Sequence, residues 1–579
     1  GFSVGAGGTN PGYFNSNSFQ VADDLDLVRG THQLSIGGNW IHSRIETVNN
    51  RPTNGQFTFN GQVTGLSMAD FMIGAMSGGF LQGNPVYDYD HSEYIGVYAQ
   101  DNWRVRPNVT MNLGLRWEPF LPMSNTYSWV SHFDQSRFDQ NVRSTVYPQA
   151  PAGLMFPGDS GYPDDSTTFG KKLQFAPRVG MVWTPQGDER TSVRASWGVF
   201  YDTPHLFFNT RFANNPPWGA QITIANTAAG GFSDPYQGYP GGNPFPALNS
   251  GWATQPFPAF GVYVNTPLHV EPTSLQQWNV SVQHQFGDWL AGVSYLGNHS
   301  SHLWRATELN PAVFGPGATT GNINQRRTLI LQNATQGQFY GTIGQLDDTG
   351  RANYGAMLLS LQRRLKNNLS VLSNYTLSKC MSDPATTELT GPTIVNPANP
   401  GLDYSYCASD RRHVLNVSLV VRTPDFENST VRAIFSDWQI SPIVRWQSGN
   451  RSSVTTGVDN ALTGLGAQRA VQVLDDPYGA GAPTAYLNRA AFTSPTTGTY
   501  STLAPFTIVN PSNLQNDFAL TRTFRVGGAQ SVQFRWEVFN LINHVNFNAP
   551  ITALNSASFG QIQTAGDPRI MQFALKFTF

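Results

Sequence analysis

Six arginines, Arg104, Arg116, Arg178, Arg194, Arg445 and Arg535, lie in segments where polar and apolar residues alternate, and all six fall on the polar side. A guanidinium on such a face is built to hold carboxylates through paired hydrogen bonds. Two uses follow. The arginines can pair with carboxylates of another domain seated against this face, or they can pair with neighbouring residues such as Glu118 and Glu537 across strands. The second reading is the simpler one for any single arginine. A second group is the aromatic set Trp218, Phe245, Trp252, Phe257, Phe260 and Tyr263, spread among Pro, Gly and Asn over 203–274. Rings beside amide donors can form a platform for sugars or peptides; more often they let a long loop pack on itself. Trp218, Trp252, Phe257, Phe260 and Tyr263 are the candidate ligand contacts. "YDYD" (87–90) places two carboxylates at alternate positions, but its spacing fits no cation-binding loop. In "DRRH" (410–413), His413 with Asp410, Arg411 and Arg412 reads as a solvated strand end, or as an ion cluster that orders it. The chain has no H-E-x-x-H, G-x-S-x-G, P-loop or paired C-x-x-C. No nucleophile stands with its base, so neither catalysis nor a cofactor or metal is indicated.

The elements that must carry these groups are strands. The chain has 579 residues, a formal net charge of −2, 12% charged and 12% aromatic residues, with 56 Gly and 38 Pro. That mixture suits strands and turns rather than helix bundles. A near-neutral charge attracts neither nucleic acid nor an anionic membrane. No run of 18 apolar residues supplies a membrane-crossing helix. The chain begins at Gly1 without Met or signal peptide, as expected of a processed chain or a fragment.

Period-two alternation marks fifteen segments: 18–28, 33–46, 92–105, 109–119, 173–184, 191–202, 275–286, 289–298, 354–365, 369–379, 410–422, 437–448, 516–526, 530–541 and 569–579. Most exceed the usual strand length and match the roughly 9–11 residues that a tilted strand needs to cross a bilayer. Their connections alternate between short turns, such as "RPN" and "GD", and long segments such as 120–172 and 203–274; 423–436 is the exception, a long "short" turn. Compact soluble domains rarely carry so many long loops, whereas an outer-membrane barrel does so by construction. Asp101, Arg363 and Arg522 interrupt apolar faces, each within four residues of a short-turn end, where a lipid-facing charge costs least. One stretch, 65–83, looks helical; Leu66, Ala69, Ile73 and Met76 fit one face of a short amphipathic turn within an outer loop. Cys380 and Cys407 are too few for a disulfide scaffold, but both fall in one predicted outer loop, and a disulfide between them is expected.

The chain ends "RIMQFALKFTF", an alternation running to Phe579. This resembles the C-terminal strand of bacterial outer-membrane barrels, whose terminal aromatic is part of what the barrel-assembly machinery recognises. "YIGVYAQDNWRVRPNVTMNLGLRWEP" resembles the signature hairpin of TonB-dependent receptors. "FAPRVGMVWTP", "TSVRASWGVFYDTP", "SDRRHVLNVSLVV", "WQISPIVRWQSGN", "FRWEVFNLINHVNFNAP" and "SFGQIQTAGDPRIMQFALKFTF" follow in the order of that family's Oar-like branch. The resemblance implies an all-β fold, a large antiparallel transmembrane barrel in the outer membrane of a Gram-negative bacterium. It implies energy-coupled uptake of a ligand bound by outer loops. Its implied partners are membrane lipid, the barrel-assembly machinery, the TonB complex and an unidentified ligand, of oligosaccharide or peptide type. Such receptors carry a carboxypeptidase-regulatory-like domain, a plug and 22 strands. The fifteen segments here, without TonB box or plug, are expected to be the C-terminal portion of the barrel over 1–579. Segments 18–28 and 569–579 are therefore not expected to pair with each other. A surface-binding protein anchored by a barrel, or a passive porin, is the alternative.

Overall fold

A computed structural model describes residues 2–5, 12–49, 52–185, 190–203, 206–224, 231–245, 257–366, 368–385, 393–466, 468–528 and 530–579. The fifteen alternating segments are all strands. In chain order they are β1 (Tyr13–Arg29), β2 (His32–Asn49), β3 (Val86–Arg106), β4 (Val109–Trp117), β5 (Phe175–Trp183), β6 (Thr191–Asp202), β7 (Thr273–Phe286), β8 (Trp289–Glu308), β9 (Tyr340–Lys366), β10 (Leu369–Ser382), β11 (His413–Arg422), β12 (Trp438–Gln447), β13 (Asn513–Gly527), β14 (Gln530–Phe539) and β15 (Ile570–Thr578). Each pairs antiparallel with the next, from β1–β2 to β14–β15. Tight turns make the short connections possible. Gly30 (φ +62°) and Gly287 (φ +58°) take left-handed conformations between β1 and β2 and between β7 and β8.

One face of this sheet is apolar and open. Leu575 is 75% exposed and Phe573 68%, and Val97, Leu115, Val282 and Val293 lie outward as well. An apolar face this large is not left facing water; it is what a barrel presents to lipid. The charges that break this face are held near the short turns. His32 Nδ1 and Asp101 Oδ2 are 2.6 Å apart. Arg363 lies over the Trp289 ring and near Asp288, and Arg522 lies over Trp438 and Phe524.

Several elements depart from the sequence reading. β3 starts at Val86 rather than 92, β8 runs on to Glu308 rather than 298, and β9 starts at Tyr340 rather than 354. At the start of β9 neighbouring residues such as Leu346 and Asp347 are both buried, so both faces are covered; the added residues of β3 and β8 still alternate, but their buried side includes Asp88, Asp90 and Glu308 in place of an apolar stripe. The helix in 65–83 covers only Ser67–Met72, and its proposed apolar face is not buried: Leu66 and Ile73 are exposed, while Met76 alone is fully buried. The turn instead encloses Asp70, whose carboxylate accepts from Thr64 N and Thr64 Oγ1. The long turn 423–436 holds an unforeseen helix, Ser429–Phe435, capped by Asn428. The wall is antiparallel throughout, but above it Gly261–Asn265 runs parallel to the start of β9. Among the described residues β1 pairs only with β2 and β15 only with β14, so the sheet is open and the barrel is not closed.

Candidate functional site

The inner face carries a polar recess across β3 to β6. Glycines make it. Gly96, Gly114, Gly180 and Gly198 leave room on the face that Gln100, Asn112, Arg116, Arg178 and Phe200 share. A Cβ on Gly96 would come within 1.8 Å of Arg116 Nη2, so the guanidinium lies where a side chain would stand. Arg116 donates from Nε to Glu118 (3.0 Å) and from Nη2 to Asn39 Oδ1 (2.5 Å) and Tyr94 Oη (3.0 Å). The Tyr94 hydroxyl in turn donates to Glu118 at 2.7 Å. Arg178 lies over the Phe200 ring, 4.5 Å from its centroid. A cavity of about 450 Å³ is bounded by Tyr94, Tyr98, Arg116, Glu118, Arg178 and Phe200. Donors, acceptors and two ring faces around such a space suit a polar ligand with carboxylate or hydroxyl groups.

The other inner arginines do not join this recess. Arg104, Arg194 and Arg445 project exposed from the polar face. Arg535 pairs with Glu537 at 2.5 Å. Both acidic partners, Glu118 and Glu537, lie two residues along the chain from their arginine rather than across strands, because positions i and i+2 share a face.

Long loops roof the wall, and the aromatics of 203–274 go into that roof. Trp218, Phe257, Phe260 and Tyr263 are all buried; Trp252 lies outside the described residues. Trp218, Phe257 and Tyr263 pack with Phe133, Phe138, Phe156 and Tyr340 in one cluster. They therefore form the core that joins three loops, and they present no ring to solvent. Buried polar groups pin the cluster. Asn265 accepts from Phe133 N and donates to Gln345 Oε1 at 2.9 Å. His132 Nδ1 donates to Thr266 O at 2.8 Å, and burial pushes its pKa below the usual histidine value. Burial of the Asp159 carboxylate opposes ionisation. Hydrogen bonds from Ser144, Thr145 and Phe156 outweigh that and hold its pKa below the ordinary carboxylate value.

Cys380 and Cys407 are joined by a disulfide, with Cα atoms 5.4 Å apart. Beside it, Asp410 is buried, accepts from Cys380 N (2.8 Å) and pairs with Arg451 (2.9 Å). Arg411 and Arg412 donate to the carbonyls of Ser448 and Ser378, and His413 Nδ1 lies 2.7 Å from Tyr375 Oη. The strand entry is thus an ordered network rather than a solvated end. Phe579 follows the last strand residue and is 90% exposed, stacked on Phe577. The recess partners Asn39, Tyr94 and Phe200 were not singled out in the sequence; nothing but their place on the polar face marks them.

A polar-lined, apolar-jacketed sheet under a roof of long loops defines an outer-membrane β-barrel protein. The family description "Outer membrane beta barrel domain" matches residues 1–572, and the chain belongs to that family. It is a protein of the outer membrane of Gram-negative bacteria. No curated protein matches the chain. Among solved structures, the outer membrane transporter YddB from Escherichia coli is similar over 97% of this chain and 54% of its own, with TM-score 0.48 and 10% identity. The ferric enterobactin receptor PfeA from Pseudomonas aeruginosa gives 97% and 53%, TM-score 0.47 and 12% identity. The FrpB iron transporter from Neisseria meningitidis gives 97% and 55%, TM-score 0.45 and 12% identity. The chain spans about half the length of these solved proteins.

Proposed function

We propose that this chain forms the wall and outer loops of a TonB-dependent receptor of the Oar-like branch, which takes up a scarce oligosaccharide or peptide. The observation that carries the reading is the glycine-made recess on the inner wall. There Arg116 and Arg178 stand beside Tyr94 and Phe200 beneath the loop roof. The ordered motifs of the sequence support it. In this reading the loops admit the ligand and the recess holds it. A plug domain outside this stretch blocks the lumen, and the TonB complex moves the plug at the expense of the proton-motive force.

The test uses the intact receptor. Ligand is captured from spent medium, identified by mass spectrometry and offered to cells in labelled form. Energy-coupled uptake requires accumulation that stops in a TonB-deficient strain and with a protonophore, while surface binding persists. Accumulation indifferent to both would make the protein a porin. Binding without accumulation would make it an anchored surface receptor.

A further inference from the structure

Above the recess, at the top of β3, two carboxylates are sealed from solvent. Asp88 and Asp90 are each 1% exposed and share the inner face. The side-chain hydrogen bonds they accept come from amides, and His91 is the charged group beside Asp90. Asn125 Nδ2 donates to Asp88 Oδ1 at 2.5 Å and to Asp90 Oδ1 at 3.0 Å. Because one nitrogen serves both, the carboxylates are adjacent. The orientation of that amide is set from its other end, where Asn125 Oδ1 accepts from Tyr127 N and Trp129 N. Asn209 Nδ2 donates to Asp90 Oδ1 at 2.7 Å.

What remains unpartnered is all oxygen. Asp88 Oδ2, Asp90 Oδ2, Asn209 Oδ1 and Thr47 Oγ1 are buried with no hydrogen-bond partner. Thr47 stands directly opposite Asp88 in the β2–β3 ladder, and Thr47 and Asn209 are 1% and 0% exposed. Orphaned buried acceptors are rare in native proteins, and four of them, two on a pair of like charges and two beside it, ask for a common partner.

We propose that Asp88, Asp90, Asn209 and Thr47 bind a calcium ion. Carboxylate, amide carbonyl and hydroxyl oxygens are hard donors, and two carboxylates balance a divalent charge. Calcium accepts an irregular oxygen shell and gives up its water, whereas magnesium keeps several waters and is poorly served by so closed a site. The ligands come from β2, from β3, and from the 3-10 helix Leu206–Asn214 in the roof, with Asn125 of a third loop holding the carboxylates in place. The ion therefore ties the outer loops to the wall. This does not depend on the uptake reading, since a loop-bracing ion serves a transporter, an anchor or a porin alike.

The experiment uses full-length protein extracted from outer membranes into detergent and stripped with a chelator. Terbium serves as the probe, with the neighbouring Tyr127 and Trp129 as sensitisers. Sensitised emission that calcium displaces, together with a higher unfolding temperature in calcium than in chelator, is the expected result. Asp88→Asn and Asp90→Asn should abolish both effects. Thr47→Val, which keeps the shape, and Asn209→Ala should weaken calcium at least about tenfold. These two keep the test open if a carboxylate variant fails to fold. Unfolding indifferent to calcium, with no displaceable emission, would overturn the site and leave the two carboxyl groups sharing a proton. Undiminished emission in Thr47→Val and Asn209→Ala would place the ion elsewhere and equally overturn it.

Discussion

At the scale of single residues, the recess depends on a side chain that is missing. Gly96→Ala puts a methyl group where the Arg116 guanidinium lies. The clash falls on the far end of a flexible side chain, so the barrel should still assemble while Arg116 loses Asn39 and Tyr94. The expected outcome is a normal heat-modifiable band on cold gels, with ligand retention reduced as far as in Arg116→Ala and no further loss in the double variant. Additive losses would show that Arg116 and Gly96 act separately. Asp159 allows a test in the roof. Its carboxyl pKa is lower folded than unfolded, so its contribution is present above the unfolded value and is lost as pH falls through the folded one. Hydrogen exchange over 144–159, corrected for intrinsic rate, should therefore rise below about pH 4. In Asp159→Asn it should already be raised at neutral pH and should not change across that range.

At the scale of elements, the two faces of one strand should respond oppositely to the same side chain. On β14, Phe534 faces outward opposite Leu575 and near Phe573, and Gln533 faces inward opposite Lys576. Phe534→Arg should cost about 2–4 kcal/mol if it lies near mid-bilayer, enough to impair insertion. Gln533→Arg should be tolerated. The measurement is the heat-modifiable shift of each variant, and equal shifts would mean that lipid does not cover this face. The loop between β10 and β11 is closed by its disulfide across 27 residues. Cys380→Ser should lower the stability of that loop by roughly 3.5 kcal/mol on chain-entropy grounds. Protease cleavage between 383 and 406 should appear in the variant and in reduced wild type at the same rate; identical cleavage of oxidised wild type would remove the role.

At the scale of the molecule, two strand edges, those of β1 and β15, are open among the described residues. Unpaired backbone groups along an edge in lipid each cost several kcal/mol, so β1 and β15 need partners. Strands from outside this stretch are the proposed seam. Cysteines introduced at Ala22 and Ala574, mid-way along the two edges, should not cross-link in the full-length protein. Efficient cross-linking between them would mean that these fifteen strands close on themselves.

The membrane wall was legible in the sequence because lipid and lumen act residue by residue. Each outward position must be apolar and each inward one free to be polar, so period two survives in all fifteen strands. Met571, Phe573 and Leu575 against Gln572 and Lys576 is one instance. The same logic foresaw that Asp101, Arg363 and Arg522 sit near short turns. It failed above the membrane, where protein covers both faces: β9 begins 14 residues before its alternation does. There the contacts are between residues far apart in the chain. Trp218 and Tyr263 look like a ligand platform until Phe133 and Tyr340 arrive to bury them. "YDYD" matches no cation loop because its companions, Thr47, Asn125 and Asn209, come from three other segments. Local periodicity determined the wall; only the tertiary structure decided what the loops enclose, since no short stretch carries a record of a contact that its own neighbours do not make.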